Sequence, residues 1–274
     1  MFEIDRIIRT ALQEDIGHGD VTTLSTVEAG TMARAQLVAK EDFVLAGIDV
    51  ARQVFLTLDG AVAFEKLKED GQAVQKGEVL AWIQGDARIL LQGERVALNL
   101  LQRMCGIATQ TKMFVEAAAG TGAIVVDTRK TTPGLRVLEK YAVRMGGGQN
   151  HRTSLYDGVL IKENHIVAAG GITAAIQRAR QRVPHTLKIE VETSTMAEVD
   201  EAVAAGADII LLDNMGPDML REAVARVAGK AVTEASGGVR LDTVRKIAES
   251  GVDLVSVGAL THSSRAVDIS MLFE

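Results

Sequence analysis

The chain has 274 residues, a formal net charge of −6, and 47% hydrophobic but only 3% aromatic residues. That length suits one large domain or two modest ones, and an aliphatic core favours parallel strands covered by helices. The acidic balance argues against nucleic acid as a partner, and a single cysteine, Cys105, leaves no internal disulfide and points to a reducing, cytoplasmic setting.

The start, MFEIDRIIRTALQEDIG, is charged throughout and lacks the apolar stretch of a secretory leader. No apolar run approaches the roughly 18 residues of a membrane span, so no membrane contact is expected. His18 follows in EDIGHGDVTT (14–23), between two glycines, and reads as a turn residue. The segment 32–47, MARAQLVAKEDFVLAG, alternates partially, and 60–85 holds strand-like pieces broken by the turn-rich EDGQAVQKGE (69–78). These features predict an antiparallel β region with flanking helices. The stretch 86–118 has a long helical pattern, with a break expected near Gly106, and would link this region to the next. Cys105 follows Met104 on its apolar face and reads as core.

From about residue 121 one grammar repeats: a small-residue turn, a short apolar run, then polar or charged residues. Its instances are GAIVVDTRK (122–130), DGVLIKENH (157–165), LKIEVETS (187–194), ADIILLDN (207–214), KAVTEASGG (230–238) and VDLVSVGALTH (252–262). Helical spacing lies between them at 173–182, 195–205 and 240–250. Such alternation predicts βαβ units and a parallel sheet. A complete eight-unit barrel needs about 250 residues, whereas about 140 remain, so six to seven strands fit. The expected fold is an incomplete α/β barrel over 111–263, an N-terminal α/β domain over 1–110, and a tail, 264–274, packing back on the latter. A doubly wound open sheet is the alternative. In either, functional groups belong beyond the carboxyl ends of the strands.

The segment 127–165 gathers Arg129, Lys130, Arg136, Lys140, Arg144, Arg152 and Lys162 with His151 and His165. In an acidic chain this reads as a pocket for a small, multiply charged anion, because Arg offers a planar bidentate fork and Lys a compact point charge. Glu192 and Asp213 end later strands and suit sugar hydroxyls, Mg²⁺ held with phosphates and water, or structural pairing with neighbouring cations. Neither has a partner at ligand spacing, which argues against an all-protein metal cage. Ser236-Gly237-Gly238 and Gly258-Ala259, with His262 just beyond, close the last two runs; glycine-rich turns leading into helices expose N–H groups that bind phosphate. His151 and His165 remain open between acid–base, ligand and structural roles.

Taken together, EDIGHGDVTT, GERVALNLLQRMCGIAT, DTRKTTPGLR, GGGQNHR, YDGVLIKENHI, EVET, ILLDN, EASGG and VGALTH resemble quinolinate phosphoribosyltransferase, in order and over nearly the whole chain. The resemblance implies an N-terminal α/β sandwich domain on an incomplete barrel, assembled as a homodimer or dimer-based hexamer. It implies transfer of phosphoribosyl from phosphoribosyl pyrophosphate to quinolinate with loss of CO₂, with Mg²⁺ and no redox cofactor. By motif, it assigns the quinolinate carboxylates to Arg129, Lys130, His151, Arg152 and Lys162, joined by Arg95 of the GER motif from a neighbouring subunit. It turns Glu192 and Asp213 to the ribose and metal-bound pyrophosphate, directly or through water. Ser236, Gly237, Gly238 and Gly258 would hold phosphate. Lys130, Glu192 and Asp213 are the expected catalytic groups. Met145, Cys105 and Gln149 depart from the family's pattern without touching a charged site residue.

The residues agree with that chemistry, since a dicarboxylate and a polyphosphate demand many cations in a small volume. Three rivals explain less. A paralogue with another phosphoribosyl acceptor conflicts with the intact IKENH and NHR runs. A Schiff-base aldolase or isomerase using Lys130 or Lys162 leaves the glycine-rich ends unexplained. A non-catalytic anion-binding protein needs no polar groups at six strand ends.

Overall fold

The computed structural model describes residues 2–274. In chain order the elements are α1 (Phe2–Ile16), α2 (Val21–Thr26), β1 (Met32–Ala39), β2 (Phe43–Val44), α3 (Ile48–Leu58), β3 (Ala63–Lys66), β4 (Ala73–Val74), β5 (Val79–Asp86) and α4 (Ala87–Ala118). There follow β6 (Ile124–Val126), α5 (Arg136–Met145), β7 (Val159–Ile161), α6 (Glu163–Ala169), α7 (Ile172–Arg182), β8 (Ile189–Thr193), α8 (Met196–Ala204), β9 (Ile209–Asp213) and α9 (Pro217–Val227). The chain ends with β10 (Val232–Ser236), α10 (Val244–Ala248), β11 (Leu254–Ser256), α11 (Ala259–His262) and β12 (Ile269–Phe273). Two compact units form: the chain up to Lys112 with Thr131–Gly147 and Ser263–Glu274, and Met113–Lys130 with Gly148–His262.

The first unit carries a four-stranded antiparallel sheet in the order β12-β1-β5-β3. The tail enters it as an edge strand, pairing Ala35 with Phe273 and Ala39 with Ile269. Its core is aliphatic, as the composition requires, and includes Ile8, Leu37, Leu45, Ile48, Ile83, Leu90 and Leu101, with Phe55 the largest fully buried side chain. The Asp20 carboxylate caps α2 by accepting from the Thr23 N–H at 3.0 Å, satisfying a donor that the first turn leaves free. Helix α4 runs unbroken for 32 residues, which corrects the expected break at Gly106. That glycine answers a packing need instead: a Cβ there would meet the Arg265 backbone, with its carbonyl carbon 3.0 Å away. Cys105 is fully buried on the same helix, and burial pushes its thiol well above the usual range, as a core residue should show.

The second unit is a six-stranded, wholly parallel sheet in the order β6-β11-β10-β9-β8-β7. Each of the six apolar runs supplies one strand, and helices occupy the intervals. Strands β6 and β7 are its edges, so the barrel is incomplete. Residues Gln149 to His151 lie along β6: the Asp127 N–H donates to the Gln149 carbonyl at 3.1 Å, and the Gln149 N–H to the Val125 carbonyl at 2.9 Å. One partition differs from the sequence reading. Residues 131–147, including α5, group with the first unit rather than with the barrel, because α5 buries Leu138, Ala142 and Val143 there. Its cations, Arg136, Lys140 and Arg144, belong to that unit and are not among the residues that line the cavity at the strand ends.

Candidate functional site

At the carboxyl ends of the six strands lies a cavity of about 890 Å³, lined entirely by residues of the second unit. Strand alternation explains its lining. Residues two apart on a strand share a face, so Glu192, Asp213, Ser236 and Ser256 each end an inward-facing row. The loops beyond add Thr128, Arg129, Lys130, His151, Arg152, Lys162, Gly237, Gly238, Gly258, Ala259 and His262. Thirteen of the fifteen residues expected at the site converge here. The other two do not line it.

One of these is His165. Its Nδ1 accepts from the Lys162 N–H at 3.0 Å at the start of α6, where it satisfies a helix-end donor, and its side chain faces a separate cavity beside Arg178. The other is Arg95, an exposed residue of α4 in the first unit. The nearby Glu94 carboxyl is raised by burial, with the Arg95 charge opposing that shift.

Charge within the cavity is sorted. Arg129, Lys130, Arg152 and Lys162 come from the β6 and β7 ends. Lys162 Nζ meets Glu192 Oε2 at 2.6 Å, joining the cationic side to the carboxylates at the middle of the sheet. The Arg152 guanidinium donates to the Gly158 carbonyl at 3.0 Å. Burial first, and then the neighbouring Arg129 charge, hold Arg152 below its ordinary range; Glu190 and Asp157 pull the other way. Two arginines beside one another are a costly arrangement that an anionic ligand relieves. Lys130 is exposed to the cavity, and its carbonyl accepts from the Thr261 hydroxyl at 2.8 Å, which ties the end of β6 to α11.

At the opposite side the backbone takes over. Gly237 and Gly238 have φ of +94° and +59°, and Asn214 before them sits at +55°. A Cβ on Gly237 would stand 2.6 Å from Asn214 Cγ, so both space and conformation demand glycine. Consecutive N–H groups in this conformation form an anion-binding concavity. Asp213 accepts from Asn214 Nδ2 at 2.7 Å, which fixes the carboxylate at the rim between the two halves.

Sequence reasoning missed Asn214, Arg240 and Glu234 in the lining and, beneath it, Asp127 and Glu190. The signal for the last was available: Glu190 and Glu192 are two apart in one strand, so they share a face. Glu234 stands likewise to Ser236.

Two family models match, the quinolinate phosphoribosyl transferase N-terminal domain over residues 20–105 and the C-terminal domain over 107–272. The chain is 45% identical over 269 residues to a probable nicotinate-nucleotide pyrophosphorylase [carboxylating] of Bacillus subtilis, covering 98% of this chain and 93% of that one. It is 49% identical over 273 residues to the protein of the same name from a Synechocystis species, covering 98% and 92%. Among solved structures, NadC from Streptococcus pyogenes superposes with a TM-score of 0.95 at 43% identity, covering 98% of this chain and 95% of that one. The nicotinate-nucleotide pyrophosphorylase from Francisella tularensis does so with a TM-score of 0.95 at 38% identity, covering 99% and 96%.

Proposed function

The chain belongs to the quinolinate phosphoribosyltransferase family, whose reaction it carries out, and from that premise we propose how its cavity divides the work. The reaction transfers phosphoribosyl from phosphoribosyl pyrophosphate to quinolinate and releases pyrophosphate and CO₂, giving nicotinate mononucleotide for NAD biosynthesis. A single observation carries the assignment of ends: cations gather at β6 and β7, an N–H concavity lies at β10, and two carboxylates stand between.

Quinolinate belongs against Arg129, Arg152, Lys130 and Lys162. The phosphates belong at Ser236, Gly237, Gly238, Gly258 and Ala259, with His262 at the rim. Glu192 and Asp213 then face the ribose, where carboxylates stabilise the positive charge that develops on the sugar as pyrophosphate leaves. Both are oxygen donors beside a diphosphate site, the set that Mg²⁺ takes together with substrate phosphates and water. They would hold the ion, which neutralises the leaving pyrophosphate when bound. Differential binding sets a constraint on the acceptor. The carboxylate at position 2 departs as neutral CO₂, so a tight clamp on it would slow the reaction; the arginine forks therefore belong to the other carboxylate. The alkylated ring nitrogen is positive and stabilises the carbanion that CO₂ leaves behind, so no redox cofactor is needed.

His151 contributes differently from the other cavity residues. Both its ring nitrogens face protein groups, Nδ1 the Arg152 N–H at 2.8 Å and Nε2 the Glu190 carboxylate at 3.0 Å. The active unit is a dimer or an assembly of dimers, with the exposed Arg95 completing the acceptor pocket of a neighbouring subunit. Its compartment is the cytoplasm. No helix among the described residues is long and apolar enough to cross a membrane. The experiment mixes an Arg95→Ala subunit with a Lys130→Ala subunit, each inactive alone, and follows nicotinate mononucleotide with quinolinate, phosphoribosyl pyrophosphate and Mg²⁺. Activity returns on subunit exchange if the site is shared, and stays absent if Arg95 acts only within its own chain.

A further inference from the structure

At the cavity floor and beneath it the barrel interior holds three buried acids. Asp127 is fully buried, Glu190 is 4% exposed and Glu234 1% exposed. Buried carboxylates are costly unless they are paired or hydrogen-bonded, so each should have a purpose. All three converge on the segment that runs beside β6 toward the open edge of the sheet. Asp127 accepts from the His151 N–H at 2.9 Å and from Asn150 Nδ2 at 2.6 Å. Glu190 and Glu234 reach the His151 ring from β8 and β10: their Oε2 atoms lie 3.0 and 3.6 Å from Nε2. The second oxygen of each, Oε1, is buried without a hydrogen-bond partner.

The tautomer follows from the geometry. Nδ1 accepts from the Arg152 N–H at 2.8 Å, so the ring proton resides on Nε2, aimed at the two carboxylates. The imidazole is thus a strut between buried acids and the backbone from which the Arg152 side chain departs. Each glutamate lies one inward-facing step below its strand end: Glu190 is not part of the cavity lining, and Glu234, at its floor, is 1% exposed.

We propose that Glu190 and Glu234 are positioning residues that act through His151 to set the place of Arg152 and hence the affinity for the acceptor dicarboxylate. The proposal rests on the reading of the cavity above. It makes a prediction opposite in sign to simple electrostatics. Removing a buried negative charge near Arg129 and Arg152 should, by Coulomb attraction alone, tighten binding of a dianion. Removing a strut should weaken it.

The test measures both Michaelis constants in the intact enzyme. Wild-type formation of nicotinate mononucleotide establishes the cavity reading first; its absence overturns that reading independently of the strut. Glu190→Leu is expected to raise the quinolinate KM about tenfold and to leave that of phosphoribosyl pyrophosphate within about threefold, the size expected for one lost buried hydrogen bond. Glu190→Gln, which keeps an acceptor oxygen, should restore the quinolinate KM to within about threefold of wild type. A quinolinate KM that falls or stays unchanged in Glu190→Leu overturns the proposal, and so does an equal rise in both constants. Should the leucine variant not fold, nitrogen-15 spectra of histidine-labelled wild-type enzyme decide. A ring protonated at Nε2, with Nδ1 accepting, supports the strut; a ring protonated at Nδ1 contradicts it. Because one nitrogen and two carboxylate oxygens within 4.8 Å of one another also form a metal donor set, metal analysis of the purified wild type is the companion measurement. A stoichiometric bound metal lost in Glu190→Gln overturns the strut in favour of a metal centre.

Discussion

Two of the protein's cavities have opposite character. In the first unit about 500 Å³ is lined by Phe2, Ile4, Val50, Met104 and Leu138 with Asp5, Asp49 and Asp70. The barrel cavity, about 890 Å³, is lined by four cations from its first strands and by glycines from its last. General ligand sites are concave and mostly apolar, and by that standard the first cavity looks the better one. Charge reverses the choice. Two polyanionic substrates are repelled by a pocket whose charged groups are all carboxylates, and the acids there have structural duties. Asp70 accepts from the N–H groups of Gly47 and Ile48 at 2.9 and 3.1 Å, at the start of α3, and from the Tyr141 hydroxyl at 2.6 Å. Burial and that bond raise the Tyr141 phenol well above its usual range. An apolar lining alone would pick the wrong cavity; the sign of the charged groups picks the right one.

Substitutions can break that comparison. Lys130→Ala, which removes a cation exposed to the barrel cavity, should lower kcat/KM by about a hundredfold or more without unfolding the protein; a loss below about tenfold would place Lys130 outside the reaction. Arg152→Lys keeps charge but loses the planar fork, and should raise the quinolinate KM about tenfold. Wild-type kinetics in that variant would remove Arg152 from the acceptor pocket. Asp70→Ala is the counterpart in the apolar cavity: three donors lose their acceptor, so stability should fall by about 1–3 kcal/mol in urea unfolding while kcat/KM stays within about threefold. A large kinetic defect at unchanged stability would give the first cavity a role in catalysis.

The smallest expected effect is on pH. Burial, and then the Glu190 charge, raise the Glu234 carboxyl from 4.5 to about 7. A raised acid favours the folded state when protonated. Its contribution is full below pH 4.5 and is lost as pH rises through about 7. Thermal stability of wild type should therefore fall between about pH 4.5 and 7 relative to Glu234→Gln, whose curve should be flatter in that window. Parallel curves would show that Glu234 does not titrate there.

The sheet and most of the site were legible because their signals are local. A short apolar run followed within three residues by Arg129, Lys162 or Asp213 states both the strand and the end at which its chemistry sits. The glycines of 237–238 declare a turn for the same reason. What escaped depends on distant partners. The sequence around α5 is amphipathic whichever core it covers, so its grouping with the first unit has no local mark. Gly106 resembles a helix break until the Arg265 backbone is seen against it. His151 and His165 look alike in sequence; only the fold shows one meeting two buried glutamates and the other closing a helix end.

The most direct test of the account is the choice of acceptor. Purified enzyme with phosphoribosyl pyrophosphate and Mg²⁺ is offered quinolinate or nicotinic acid, and nicotinate mononucleotide and CO₂ are both measured. A pocket built for two carboxylates leaves cations unpaired when it holds one, a penalty that can reach several orders of magnitude. The account predicts equal amounts of nucleotide and CO₂ from quinolinate, with kcat/KM for nicotinic acid lower by about a hundredfold or more. Comparable use of the two acceptors would contradict it.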